Sequence, residues 1–447
     1  MKLVYDVNDK PKFGQILIFA FQQLLAILAA TIAVPSIIGN GMSQSAALFG
    51  AGAGTIIYQL FTKFKSPVFL GSSFAFIGSM FAAFAGAASA EAGFLGLLIG
   101  AFFAGLVYVI IALIVKFAGV NWIGKLMPAV VIGPTVAIIG LSLAGNAVGD
   151  VLKFASYDAA NGVYVMGTHG WVGFICAMVT ILTVILCSVY GKKTLKLIPF
   201  IIGILAGYAV ATVFTLIGMK IGNASLQVIN FSVFENMQWY PDFAFLKAMK
   251  AIKDINGEYI ATIAVAYIPV AFVVFAEHIA DHKNLSSIIE KDLLEEPGLH
   301  RTLLGDGIGS IIGAFFGGCP NTTYGESVGC VAITKNASVV TILATAIIAI
   351  LASFVAPFVT FLATIPNCVM GGVCITLYGF IAVSGLKMLQ NVDLNNNKNL
   401  FVASVILITG IGGMALQIGA IKITSIACAL ILGILVNIIV SKAKDEE

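Results

Sequence analysis

Fourteen apolar stretches dominate this chain, and they leave little sequence between them for anything but membrane spans. They lie near 14–36, 45–61, 68–86, 92–116, 126–145, 168–190, 197–218, 259–283, 302–317, 325–334, 338–360, 366–385, 399–414 and 421–441. A spanning helix needs about 20 mostly apolar residues. The tenth stretch is too short to span alone. Charged residues make up only 10% of the 447 residues and hydrophobic ones 60%. A soluble domain is typically about a quarter charged, so this chain cannot cover a water-exposed surface. The expected fold class is an all-α polytopic membrane protein. The polar start, MKLVYDVNDKPKFG, is followed by an apolar run too long for a signal peptide, so no cleaved leader is expected. The net charge of +3 gives no ground for a nucleic-acid partner. The seven cysteines are odd in number, scattered and mostly inside apolar runs, and read as small buried hydrophobes.

Lysine placement orients the spans. With a cytoplasmic N-terminus, eighteen of the 24 basic residues fall on inner segments. They are Lys2, Lys10, Lys12, Lys63, Lys65, Lys116, Lys125, Lys192, Lys193, Lys196, Lys283, Lys291, Arg301, Lys335, Lys387, Lys398, Lys442 and Lys444. Lys153, Lys220, Lys247, Lys250, Lys253 and Lys422 fall outside, four of them in or beside one long outer segment, 220–258. That asymmetry follows the positive-inside rule, with both termini cytoplasmic.

Two stretches carry polar breaks where lipid forbids them. One is SPVFLGSSFAFIGS at 66–79, the other GAFFGGCPNTTYGESVG at 313–329. Irregular backbone survives at membrane depth only where protein or a cavity surrounds it. Such a pair, at corresponding places in two halves, is the sequence pointer to a transporter site built from inverted repeats. The third and tenth segments correspond when each half has seven, and an odd number of spans inverts one half against the other.

A third feature is AEHIADHKN at 276–284, at the end of a long uncharged run. Glu277 and Asp281 are four residues apart and share a helix face. An ionisable side chain at the centre of a spanning helix costs roughly 2.5–3.5 kcal/mol on insertion scales, so this stripe is expected to face a cavity. A plainer reading is that the helix ends here and the cluster sits among headgroups, as Lys283 would suit. A sharper one is zinc binding: HIADH resembles the inverted H-x-x-E-H motif, and His278 and His282 have chelating spacing. Against it, Asp is shorter than the required base and no third ligand is evident, since the other histidines are His169 and His300. In NTTYGES, Gly325 lets a ligand approach backbone and Glu326 opens a half-helix whose free N–H groups carry about +0.5 charge. Phe74, in the facing break, offers a ring and a backbone N–H. Two carboxylates, backbone amides and an aromatic plane suit a flat neutral heterocycle with alternating N–H and C=O edges. A cation channel would want symmetric rings of acids or carbonyls. An anion site would want basic groups, and Arg301 is the single arginine.

AEH at 276–278, KDLLEEPGLHR at 291–301, FFGGCPNTTYGESVGCVAIT at 315–334 and LGSSFAF at 70–76 closely resemble the nucleobase–ascorbate transporter family, bacterial uracil permease branch. The resemblance implies fourteen transmembrane segments in two inverted repeats of seven, with short antiparallel strands in segments three and ten. It implies a core domain from 1–118 and 257–362 and a gate domain from 119–256 and 363–447 that also mediates a homodimer. Carried over by position, Phe74, Glu277, Gly325 and Glu326 bind substrate, and Glu277, Asp281 and Asp306 couple protons. The implied activity is import of uracil with H+ across the cytoplasmic membrane, with no cofactor, no metal and no enzymatic step. Three positions depart from the branch: Asp281 stands where histidine is frequent, Asp306 where asparagine occurs, and Gln23 where the first helix often has histidine. Acids at 281 and 306 resemble the xanthine and urate branch, which usually has Gln-Asn in place of Gly325-Glu326. The alternatives are therefore a xanthine or oxopurine symporter, an intramembrane metallohydrolase using HIADH, or a sulfate-type anion carrier of similar architecture.

Overall fold

The computed structural model describes residues 3–120, 122, 127–192, 194–418 and 421–442. Lys2, Lys125, Lys193 and Lys444 of the lysine pattern lie outside the described residues. Long apolar runs fold as helices because no backbone group can be left unpaired in lipid. The helices are α1 (Phe13–Ile38), α2 (Gln44–Phe61), α3 (Ile77–Ala85), α4 (Ala90–Ala118), α5 (Ala129–Ser142), α6 (Ala144–Val151), α7 (Thr168–Tyr190) and α8 (Pro199–Ile221). After them come α9 (Gly257–Ile289), α10 (Leu299–Gly317), α11 (Gly325–Thr334), α12 (Val339–Ala352), α13 (Ala356–Ala363), α14 (Asn367–Met388), α15 (Asn397–Ile411) and α16 (Ser425–Ser441). Several starts carry a side-chain cap: Ser43, Ser89 and Asn256 accept from the backbone N–H three residues on.

Among the described residues, seven helices are long and apolar enough to cross a membrane, and eight if the bent pair α12–α13 counts as one span. Each of the other expected segments has a helix too, but one that is short or rich in small residues. Six three-residue strands form three antiparallel pairs. β2 (Ser156–Asp158) with β3 (Val163–Val165), and β5 (Leu416–Ile418) with β6 (Ile421–Ile423), are surface hairpins. The buried pair, β1 (Leu70–Ser72) with β4 (Asn321–Thr323), joins sites about 250 residues apart in sequence.

The helices pack in two sets. In the first, α2 lies on α10 and α12, α4 on α9 and α10, and α1 on α12. In the second, α14 lies on α5, α6 and α7, α7 on α8, and α15 on α5 and α16. Small residues make the α2–α10 contact close. A Cβ on Gly54 would stand 2.7 Å from the Gly309 carbonyl oxygen, and one on Gly50 2.5 Å from that of Gly313. Backbone meets backbone there, the usual way that helices attract in lipid, where apolar burial alone gives no advantage.

The N-terminal segment straps one end of the first set. Val4 N–H donates to the Lys335 carbonyl (2.8 Å) and Ala337 N–H to the Tyr5 carbonyl (2.9 Å). Lys291 donates to Asp6 (2.6 Å) and holds its carboxyl below the usual range, while Lys65 pairs with Glu296. Both pairs are half exposed, worth about 0–1 kcal/mol each. Lys65, Lys291 and Lys335 therefore share one end of the molecule.

Gly54→Ala is expected to force α2 and α10 apart at a cost of about 1–3 kcal/mol. The expected readout is a lower melting temperature of the detergent-purified protein; an unchanged melting point would show that the helices can yield.

Candidate functional site

The two polar breaks meet. β1 pairs Ser72 with Asn321, Gly71 with Thr322 and Leu70 with Thr323. Ser73 N–H donates to the Pro320 carbonyl (2.9 Å), extending the ladder at one end. Tyr324 O–H donates to the Ser72 carbonyl (2.9 Å), its ring lying where a Cβ on Gly71 would be. The outer edges are satisfied by side chains: Leu70 N–H donates to Thr55 Oγ1 (2.9 Å) and Phe69 N–H to Ser327 Oγ (2.9 Å). Ser327 in turn accepts from Gln23 of α1. The strands thus solve a backbone problem that lipid would leave open. Each strand runs at once into a helix start. A 3-10 turn, Phe74–Phe76, leads into α3, and Gly325 begins α11. First-turn N–H groups have no acceptor within their own helix, so two positive helix ends converge here.

Helix α9 passes beside them. It continues six residues beyond Lys283, to Ile289, so the helix does not end at the acidic cluster. Glu277 and Asp281 face a cavity of about 440 Å³, together with Gly325 and Glu326. Asp281 Oδ2 accepts from Thr323 Oγ1 (2.9 Å). A smaller void of about 50 Å³ adjoins it, lined by Phe74, Thr322, Glu277, Gly325 and Glu326. The structure therefore brings Phe74, Glu277, Gly325 and Glu326 around one space, with Asp281 in the larger chamber beside it. A Cβ on Gly325 would meet only Asp281 Oδ1, at 3.9 Å. Protein packing does not require glycine there; the open space does.

Asp306 is placed differently. It is buried behind α9, off the cavity, with Oδ2 2.7 Å from His278 Nδ1. His278 Nε2 lies 3.0 Å from Thr302 Oγ1. His282 Nδ1 donates to the His278 carbonyl (2.8 Å), which leaves Nε2 as an acceptor beside the hydroxyls of Tyr58 (2.7 Å) and Ser66 (3.3 Å). All four ring nitrogens thus have protein partners, and the rings stack 4.0 Å apart. Both histidines are buried in this network and turned from the cavity, so a zinc site on HIADH has no support. Among the described residues no group of three or more metal-ligating side chains converges.

The opposite wall comes from the second set of helices. Val136 and Ile139 of α5 and Ile381 of α14 line the small void, and Tyr378 meets Phe74 edge to face at 5.9 Å. None of these residues stands out in sequence, because each is an ordinary apolar or aromatic side chain in an apolar helix. Thr323 and Ser327 lie within the quoted NTTYGES motif, but their partners, Asp281 and Gln23, are visible only once the chain is folded. The large cavity extends past Ile333 of α11 towards the end that holds the N-terminal strap, reaching Lys196 and Met388.

The family model described as "Permease family" matches residues 14–419. The chain belongs to the nucleobase–ascorbate transporter family, in its uracil permease branch. This permease is 41% identical to "Uracil permease" of Bacillus caldolyticus, over 98% of this chain and 95% of that one. It is 37% identical to "Uracil permease" of Bacillus subtilis (strain 168), over 100% and 97%. It is 34% identical to "Uracil permease" of Escherichia coli (strain K12), over 99% and 95%. Permeases are transporters, not enzymes. Among solved structures, the permease superposes on the transmembrane domain of a cyanobacterium bicarbonate transporter, BicA, with TM-score 0.62 and 17% identity, covering 98% of this chain and 99% of that one. It superposes on a murine Solute Carrier 26 family member A9 anion transporter with TM-score 0.67 and 12% identity, covering 97% and 69%. At those identities the likeness concerns the fold alone: a mostly helical, polytopic membrane protein.

Cysteine placed at 325 or 329 should react with a small water-soluble thiol reagent, because a Cβ at either position finds open space. The native cysteines, mostly buried, set the background. A folded Gly325→Cys protein that stayed unlabelled would show the cavity to be shut.

Proposed function

We propose that this permease imports uracil together with a proton by alternating access. The observation that carries this is the convergence of Glu277 and Glu326 with the N-termini of two half-helices on one small space. The names of the relatives, uracil permeases along nearly their full length, supply the substrate. Uracil is a flat ring whose N–H groups suit the two carboxylates and whose carbonyls suit the amides of Phe74 and Gly325. Ring contact with Phe74 and Tyr378 is worth about 0.5–1.5 kcal/mol beyond burial. An oxopurine is the second reading, favoured only by the acids at 281 and 306. An anion carrier would not line its cavity with three carboxylates.

The architecture we infer is fourteen spans in two inverted repeats of seven. The pairing of the third and tenth segments through β1 and β4 supports it, as does a helix in each segment. The first set of helices would be the core domain, 1–118 with 257–362. The second would be the gate domain, 119–256 with 363–447, and would also carry a homodimer contact. The basic end holding Lys65, Lys291 and Lys335 would face the cytoplasm, with both termini, in the cell membrane.

In this cycle Glu277, alone or with Asp281, takes a proton from outside. Neutralised, the site binds uracil, oriented by Glu326. Desolvating ionised groups opposes movement of the core past the gate, so protonation lowers that barrier. Asp306 would act from behind, through His278, on the same helix. On the inner side, higher pH removes the proton and uracil leaves. The carboxylates titrate as a coupled set.

Uracil should raise the melting temperature of the purified protein, and sulfate should not, because a ligand that binds only the folded state stabilises it. Glu277→Gln should lose uracil uptake by at least tenfold, a loss of about 1.4 kcal/mol or more, along with its pH dependence. Normal uptake by that variant at every pH would remove Glu277 from the coupling step. Asp281→Asn should uncouple proton flux more than it weakens binding; equal loss of both would place Asp281 in the ligand shell.

A further inference from the structure

The large cavity has one cationic side chain among its described lining residues, Lys196. It belongs to a helical turn, Thr194–Leu197, in the connection between α7 and α8. That turn is pinned to the other set of helices. Leu197 is 7% exposed and packs with Ala26 of α1 and Cys330 of α11. The backbone beneath Lys196 is thus anchored against the helix that carries Glu326, while the lysine itself stays exposed at the cavity mouth. Of the titratable groups on the cavity, α9 supplies Glu277 and Asp281, and α11 supplies Glu326 and the Cys330 thiol. The faces of α1, α5, α7, α8 and α14 there carry no ionisable group.

We propose that Lys196 is a positioning residue for proton release. From the inner mouth its ammonium favours the ionised form of Glu277, Asp281 and Glu326, so the proton leaves to the cytoplasm before the empty carrier returns. The inference rests on the transport reading above. A cation acts this way only while it shares the compartment: walls of low dielectric strengthen its field, and bulk salt weakens it. Its place on an exposed turn, rather than in a spanning helix, keeps the lysine hydrated and avoids the cost of burying it. Once the core moves outward, Ala26 and Cys330 leave Leu197, and the carboxylates move away from the charge.

The test uses the full chain in proteoliposomes and compares net uracil uptake driven by a proton gradient with uracil–uracil exchange. Exchange can proceed without releasing the proton, whereas net uptake cannot. Lys196→Gln should slow net uptake by roughly three- to thirtyfold, the order expected when one unit charge is removed from a shared compartment of low dielectric. Its dependence on internal pH should move to more alkaline values, because the carboxylates then hold their proton more tightly. Exchange should stay near wild type, and Lys196→Arg should restore net uptake. Net uptake and an internal-pH profile equal to wild type would overturn the proposal. Equal loss of exchange and net uptake would also overturn it, placing Lys196 in ligand contact or in the fold. Absence of uracil exchange in the wild-type protein would overturn the transport reading itself, which separates the two failures.

Discussion

The structure depends on a three-residue ladder. Leu70–Ser72 and Asn321–Thr323 pair deep inside a helical protein, where each strand supplies backbone partners that lipid could not. Two apolar segments are broken so that this ladder can exist. What the break provides is polarity in the protein interior: helix starts at Phe74 and Gly325, with donors beside one small space. An unbroken helix would bury all those N–H groups in its own ladder and present only side chains.

Around that ladder the protein spends its polar residues unevenly. Thr55, Asn321, Tyr324 and Ser327 lock the strands to α1, α2 and each other. His278, His282, Tyr58, Thr302 and Asp306 form a second buried network behind α9. Such networks rigidify a core when their members are paired. Among the described residues, the facing set of helices shows no such network at the site; most of what it offers is apolar, as Val136, Ile139, Leu377 and Ile381. One wall is polar and hydrogen-bonded within itself; the other is mostly apolar, with Ser188, Ser384 and Lys196 as its polar members among the described lining residues. Relative movement of two such surfaces would break few hydrogen bonds, which supports the proposal that the polar set carries the ligand.

Much of this was legible before folding. Charge is so costly in lipid that Glu277, Asp281 and Glu326 announce themselves, and polar breaks such as GSSF and NTTYGE do the same. Asp306 is also conspicuous as an acid in an apolar segment. Yet the structure puts it on His278, behind the helix, a placement that no spacing rule separates from a cavity-facing one. The end of α9 was ambiguous too, since Lys283 suited a helix terminus; the helix continues because Leu285 and Ile289 pack into the core beneath it. The span count is the least legible feature. Small-residue segments such as α2 and α10 score poorly as apolar helices, although they are among the most closely packed.

What the sequence determined by itself is the solvent and the chemistry: a chain with 10% charged residues must live in lipid, and the few acids it keeps inside must have a use. Tertiary structure alone decided which of those acids share a space. Leu70 meets Thr323, Thr323 meets Asp281, Lys196 reaches the same cavity, and His278 turns away from it. The physical reason is range. Hydropathy and helix periodicity are local properties that each segment carries within itself. Hydrogen bonds between residues 42 or 258 apart exist only after packing has brought their segments together.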